Sequence, residues 1–341
     1  MGQGAVLGKE VVSVDLGRRL RRATFSNGMD SPAFGSMGST GSTVCTHHYQ
    51  KEGVHMTHII RIGIDLAKHV FQLHGVDDGG HTVLRRRLSR APLRPFLPQL
   101  RPCLVGVEAC GSAHYWAREL TTVGHEVRLI APQFVAPYRK NDQNAGNDAA
   151  AICEAVGRPH MRFVPIKTLT QQAVLTVHRA RQLLVAERTA LVNQTRGLLA
   201  EDGRIVPTGI GALRRALPGL LETPDLPVLA REVFTDLADR LRPLDERIAV
   251  YDRRVEAVAR QTEPAQRLLQ APGIGPVTAT ALVTTVGNAH AFKNGCQFAA
   301  WLGLVPRQHS RGSTGRLGRI TKRGDVYLRT LLMHGARAVM R

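Results

Sequence analysis

Residues 59–77 read IIRIGIDLAKHVFQLHGVD, and they limit the fold more than any other stretch. Apolar and β-branched residues alternate along it, which suits strands with a covered face. The alternation breaks at Leu66-Ala67-Lys68 and then resumes, so the stretch predicts two strands joined by a bend. DDGG at 77–80 supplies the next turn. A carboxylate, Asp65, stands near the end of the first strand.

The following residues continue in mixed style. HTVLRRRLS (81–89) predicts a third strand and APLRPFLPQL (91–100) a short helix. CLVGVEAC (103–110) predicts a buried strand ending in Glu108. SAHYWARELTTVG (112–124) reads as a helix closing at Gly124, EVRLIAP (126–132) as another strand, and a helix runs from about Asp148 to Val156. Strands interleaved with helices over 56–165 predict one α/β domain.

Asp65 and Glu108 end strands, and Asp148 opens a helix. Carboxylates so placed can converge, and a divalent cation relieves their repulsion. Hard oxygen ligands select Mg²⁺ or Mn²⁺. Two such ions flanking a phosphate would stabilise the attacking and leaving oxygens of a displacement. Taken singly, Asp65 is equally a turn residue and Asp148 equally a helix N-cap. Glu108 resists the plain reading, because a charge directly after CLVGV is rarely buried without a partner.

From 166 to 265 the pattern turns helical. Apolar residues recur at helical spacing through 169–203 and again through 233–261, with a Pro- and Gly-bearing loop expected between them. Two long antiparallel helices predict a coiled-coil-like arm; a plain helical subdomain fits the same pattern.

Charge narrows the partner. The chain carries 46 Lys and Arg against 27 Asp and Glu, a formal net charge of +19. Such a balance favours a polyanion. No apolar run reaches the roughly 18 residues of a spanning helix, so nucleic acid is preferred to a membrane. Two tryptophans and five tyrosines are few for a single-strand binder that works by stacking. Residues 266–341 hold eleven Lys or Arg and a single acid, Asp325. Within them, Gly273-Ile274-Gly275 falls between two apolar helical stretches, as in a helix-hairpin-helix whose backbone N–H groups approach a DNA phosphate. The stretch 301–325, WLGLVPRQHSRGSTGRLGRITKRGD, reads as a Gly- and Arg-rich loop. Arg307, Arg311, Arg316, Arg319, Lys322 and Arg323 are candidate phosphate contacts.

Two features stand apart. Residues 1–55 are Gly/Ser/Thr-rich without period, lack the apolar core of a secretory signal, and read as a disordered or non-native extension ahead of a natural start at Met56. The five cysteines, Cys45, Cys103, Cys110, Cys153 and Cys296, show no CxxC spacing; reduced, mostly buried thiols in a cytosolic protein are expected.

IGIDLAKHVFQLHGVD, VGVEACGSAHYWARELTTVGHEVRLIAPQFVAPYRK, NDAAAICEAV, APGIGPVTATALVTTVG, FAAWLGLVPRQHS and GRITKRGDVYLRTLLMHGARAV together resemble the insertion-sequence transposases of the one-ten group, eleven-eleven branch. The resemblance covers about 56–341 and keeps the family's motif order. It implies an RNase H-like (RuvC-like) α/β domain with an Asp-Glu-Asp-Asp metal site, a coiled-coil dimerisation arm, and a mostly α-helical C-terminal transposase domain carrying a serine nucleophile. It also implies a structured guide (bridge) RNA that pairs with donor and target DNA, a homodimer or homotetramer, and a bacterial cytoplasmic, nucleoid-associated location.

Carried over position by position, the resemblance assigns Asp65, Glu108 and Asp148 to the metal site and Ser310 to the nucleophile, with Ser313 as runner-up. His309 is a candidate proton acceptor. The remaining acidic position falls on Ala145, three residues before Asp148, and Asp142 cannot replace it without a rebuilt backbone. Alanine there implies an impaired copy. A second departure is the stop at Arg341, where family members continue with helical sequence. Two rivals remain: a RuvC-like Holliday-junction nuclease in which water attacks, and a decayed remnant that still binds nucleic acid.

Overall fold

The computed structural model describes residues 58–140, 145–312 and 314–340, all within the unit Val54–Arg341. The extension 1–55, Met56, Asp142, Ser313 and Arg341 lie outside the described residues.

The first part is a six-stranded mixed sheet of order β3-β2-β1-β4-β5-β6. Its strands are β1 (Arg61–Leu66), β2 (Val70–Val76), β3 (Thr82–Ser89), β4 (Leu104–Glu108), β5 (Glu126–Ile130) and β6 (Phe163–Val164). β1–β2 and β2–β3 are antiparallel, while β1–β4 and β4–β5 are parallel. This arrangement fits the α/β fold that the resemblance implies. Helices α1 (Arg90–Phe96), α2 (Ala113–Thr122), α3 (Pro132–Val135) and α4 (Ala145–Val156) connect and cover it.

Side chains alternate across each strand. Ile62, Ile64, Val105 and Val107 point into the core they share with Leu93, Trp116, Ala117 and Leu120 of α1 and α2. The intervening residues, Gly63 and Asp65 on β1 and Gly106 and Glu108 on β4, therefore face the other side, where α4 lies. A Cβ on Gly63 would stand 2.1 Å from the Ala149 carbonyl oxygen and 2.4 Å from the Cys153 nitrogen. One on Gly106 would meet Val156 at 2.7 Å. Gly63 lets the backbone of α4 rest directly on β1, and Gly106 makes room for the Val156 and Ile152 side chains over β4.

The arm is made of α5 (Leu169–Glu201) and α7 (Val228–Gln261), with α6 (Ile210–Glu222) between them. Thr168 opens α5 with a capping box: its hydroxyl accepts from Gln171 N at 3.1 Å, and Gln171 Oε1 accepts from Thr168 N at 2.9 Å. Arg181 pairs with Asp252, and Arg188 with Asp245 at 2.8 Å. Advancing along one helix means retreating along the other, so the pair is antiparallel. The expected Pro- and Gly-bearing loop contains a helix instead. Leu213 and Leu217 of α6 are buried among Leu191, Leu199, Phe234 and Leu237, and this packing outweighs Pro218 inside it.

The last part holds α8 (Glu263–Leu269), α9 (Pro276–Val286), α10 (Gly295–Trp301), a two-stranded antiparallel hairpin of β7 (Pro306–Arg311) and β8 (Thr314–Ile320), and α11 (Val326–Val339). The stretch 301–325, expected as a loop between helices, is thus largely a hairpin. Its strands are mostly polar and almost wholly exposed, so no apolar alternation announces them. Among the described residues no helix is long and apolar enough to cross a membrane.

Replacing Gly63 by Ala should cost about 1–3 kcal/mol, because the new methyl meets helix backbone that cannot swing aside. Gly197→Ala, at an exposed position inside α5 with nothing within 4 Å of the added carbon, should instead stabilise by about 0.5–1 kcal/mol. Denaturant midpoints of the two variants would test the contrast.

Candidate active site and nucleic-acid interface

The parallel register of β1 and β4 runs to Ile64–Val107, which makes Asp65 and Glu108 the next residues on adjacent strands. Both leave the sheet on the α4 side. Asp148 lies in the first turn of α4, where the positive end of the helix dipole favours a carboxylate. The three predicted carboxylates are therefore brought together. Ala145, which the resemblance puts at the fourth acidic position, is the first residue of the same helix, one turn before Asp148.

Sequence reasoning missed Arg139. Its Nη2 lies 3.3 Å from Glu108 Oε2, and its Nε lies 2.7 Å from Asp148 Oδ1. The second contact is close but badly aligned: Arg139 Nε and Asp148 Oδ1 are buried and neither makes a hydrogen bond. A lone arginine ahead of the polar turn, in PYRKND, was the available signal. It carries no spacing rule that ties it to carboxylates far away in sequence.

Burial is the largest influence on this cluster. It raises the Asp65 carboxyl above its ordinary value, with the neighbouring Asp148 charge adding to it and Arg139 opposing. Glu108 is likewise raised by burial, opposed by Arg139 and reinforced by Asp65 and Asp148. The same surroundings raise the Cys110 thiol, first by burial and then by Glu108 and Asp65.

A divalent metal suits this donor set. Three half-buried carboxylates share one arginine as counter-charge, and one buried carboxylate oxygen has no hydrogen bond. Oxygen donors of this kind match Mg²⁺ or Mn²⁺. With Arg139 drawing Glu108 and Asp148 toward itself, no group of three potential ligands encloses a metal-sized point among the described residues.

Ser310 is placed elsewhere, on exposed β7, where its hydroxyl oxygen accepts from Gln308 Nε2 at 2.7 Å. Adjacent strand residues face opposite sides, so His309 turns away from Ser310 within this strand. Arg307 and His309 line a cavity of about 350 Å³ with Gly318, Arg319, Ile320 and Lys322. Arg311 and Arg316 stand exposed on the hairpin, and Arg323 is exposed in the turn that follows it. Asp325, the single acid of the segment, is occupied as the N-cap of α11, accepting from Leu328 N at 2.9 Å.

Gly273 and Gly275 do lie in the turn between α8 and α9. Gly273 has φ +80° and its missing side chain faces α11: a Cβ there would stand 2.6 Å from the Gly335 carbonyl oxygen. This glycine serves a packing contact. Around Gly275 a Cβ would meet nothing within 4 Å. Of the described thiols, Cys103 and Cys153 are buried, Cys110 is half-buried, and Cys296 is exposed.

Asp65→Asn should reveal the burial cost. A carboxyl raised in the fold binds its proton more tightly when folded, so its stabilising effect is present below the unfolded value of roughly 3.9 and is lost as pH rises through the folded value. At neutral pH the variant should melt above the wild type, and the gap should close near pH 3. Thermal unfolding at both pH values checks the sign.

Two known families match the chain. One, described as "Transposase" and of the DEDD IS110 type, matches residues 62–201. The other, described as "Transposase IS116/IS110/IS902 family", matches 265–341. A "Probable family 20 transposase" of Pseudomonas aeruginosa is 56% identical over 287 residues, covering 82% of this chain and 84% of the relative. The "Transposase for insertion sequence element IS1111A" of Coxiella burnetii is 42% identical, covering 86% and 81%. The "Transposase for insertion sequence element IS1328" of Yersinia enterocolitica is 42% identical, covering 84% and 85%.

Proposed function

The chain belongs to the IS116/IS110/IS902 family of transposases, and from that premise we propose an RNA-guided DNA recombinase that moves its insertion sequence by serine attack on DNA. The observation that carries the reading is the convergence of Asp65, Glu108 and Asp148 beneath α4. Asp65, Glu108 and Asp148 would hold Mg²⁺ or Mn²⁺. When bound, such an ion supplies Lewis-acid stabilisation of charge on phosphate oxygens.

The chain's own residues would divide the remaining work. Arg307, Arg311, Arg316, Arg319, Lys322 and Arg323 neutralise phosphates and hold the strand at the hairpin. The Ser310 oxygen attacks phosphorus, leaving a phosphoserine link while the departing sugar oxygen takes up a proton. Since His309 faces away, the serine proton must leave to a group outside β7. Arg139 holds Glu108 and Asp148 in place by charge. The acidic domain (56–165) and the serine-bearing domain (266–341) would meet across subunits of a homodimer or homotetramer, joined by the helical arm (166–265). Donor DNA, target DNA and a structured guide RNA are the proposed partners, in the bacterial cytoplasm at the nucleoid.

One observation favours a second reading, a decayed copy that binds nucleic acid without cutting it. Ala145 leaves the acidic site one carboxylate short. The two readings separate on restoration. Ala145→Asp should raise Mg²⁺-dependent cleavage of element-end DNA, by on the order of tenfold or more if the fourth ligand is needed. Equal rates would remove position 145 from the site.

The nucleophile is tested in that restored background. A protein–DNA adduct that survives denaturant should form, and Ser310→Ala should abolish it with DNA affinity unchanged. Cleavage without an adduct would support the nuclease-like rival, and loss of the adduct on Ser313→Ala would move the nucleophile by three residues. DNA affinity should fall steeply with salt, the slope shrinking by about 0.9 for each phosphate contact removed. Reversing charge at Arg316 and Lys322 together should flatten it.

A further inference from the structure

We propose that Trp301, backed by Phe292 and Phe298, is a stacking platform for one unpaired nucleotide of a nucleic acid strand. The proposal rests on the DNA-acting reading above and adds a contact for which that reading has no use.

The two tryptophans of the chain are used differently. Trp116 is 1% exposed in the core of the sheet domain, whereas Trp301 is 39% exposed. Trp301 belongs to a cluster. Phe298 stacks on it with centroids 5.9 Å apart and planes 20° apart, and Phe292 meets it edge-on at 5.5 Å. Phe292 and Phe298 also meet edge-on at 5.3 Å. Three rings thus brace one another at a surface. Phe298 and Phe292 pack against the indole, and the exposed part of Trp301 is apolar ring surface available to a further aromatic group.

The platform is held firmly. Trp301 ends α10, and the backbone beyond it is clamped by buried Arg329, which donates to the Leu302 carbonyl at 2.9 Å and the Gly324 carbonyl at 3.2 Å. Lys322 N donates to the Gly303 carbonyl at 2.9 Å. The Trp301 carbonyl oxygen lies 2.3 Å from where a Cβ on Gly324 would stand. The end of α10 and the turn Lys322–Gly324 therefore form one packed joint. That turn also supplies Lys322 to the cavity lined by Arg307, His309 and Arg319.

An exposed aromatic ring and cationic side chains carried by one packed joint offer the two chemistries that a nucleotide's base and phosphate call for. Bases stack on aromatic side chains whatever their sequence, and phosphates take the cations. A paired base is already stacked inside its duplex, so the contact selects unpaired positions. A second copy of the chain is the other candidate to cover the rings. The segment's charge opposes it, since eleven Lys or Arg against one acid would face the same excess. The nucleotide can come from a DNA or an RNA strand, which share this chemistry.

The test uses the full chain with three probes: an oligothymidylate, an oligouridylate, and a blunt DNA duplex. At least one single strand should quench tryptophan emission, and Trp301→Phe should remove that quench while keeping most of the affinity. Trp301→Ala should weaken that strand by about tenfold or more and leave the duplex within about twofold. The strand showing the larger loss identifies DNA or RNA as the source. The proposal is overturned by no quench from either strand, by unchanged single-strand affinity, or by an equal loss on the duplex. A change of sedimentation mass with unchanged affinity would assign the rings to a second copy and overturn it as well. The quench of the wild type needs no variant to fold. Failure of the wild type to bind the duplex is a distinct result, which would sink the DNA-acting reading itself.

Discussion

α4 comes to rest closely on β1 and β4 because Gly63 and Gly106 carry no side chains, with helix backbone over Gly63 and the Val156 and Ile152 side chains over Gly106. Any larger residue at Gly63 would collide with the Ala149 carbonyl and the Cys153 nitrogen. The acidic site follows from this contact. Strand alternation puts Asp65 two residues beyond Gly63 and Glu108 two beyond Gly106, on the face that α4 covers. The closeness of the helix then decides that Asp148, in its first turn, is near enough to raise the Asp65 carboxyl. A helix held farther off by a larger side chain would leave Asp148 out of reach of the strand pair Asp65 and Glu108.

That closeness has an electrostatic consequence. Three carboxylates half-removed from water repel, and for Asp65 and Glu108 burial already disfavours the charged form. Arg139 offsets part of this by reaching Glu108 and Asp148 together, but with a poorly aligned Nε and a buried oxygen left without a hydrogen bond. A guanidinium is a planar, extended cation and suits two parallel acceptors better than a point of convergence. A small divalent ion has the opposite preference, which is why the same donors fit one well.

The C-terminal segment solves a different problem. Arg307, Arg311, Arg316, Arg319, Lys322 and Arg323 stand exposed on the hairpin and the turn after it, and the segment's one acid caps α11, so their charge is displayed rather than neutralised. The segments flanking the hairpin are tied together by hydrogen bonds, with Arg329 buried against the Leu302 and Gly324 carbonyls and Thr321 N donating to the Val305 carbonyl. Beside these bonds, Leu302 and Leu304, just ahead of the hairpin, pack into an apolar cluster with Leu282 and Leu328.

By itself the sequence determined the elements with regular apolar periods. The strands up to β5, the helix before Gly124, and the long helices of the arm were legible because burial on one face leaves a period of two or of 3.6 residues. It also showed the candidate carboxylates, since a charge directly after an apolar strand needs a reason. The hairpin at 306–320 was not legible, because its strands bury nothing and hydrogen bonding leaves no mark on composition. α6 was hidden behind Pro and Gly, whose local preference was overridden by packing against α5 and α7. Only the tertiary structure decided that Arg139 sits among the carboxylates, that Gly273 serves α11, and that His309 faces away from Ser310. Each of these depends on which face of an element meets which neighbour at a few ångströms, and residues distant along the chain carry no local signal of such a meeting.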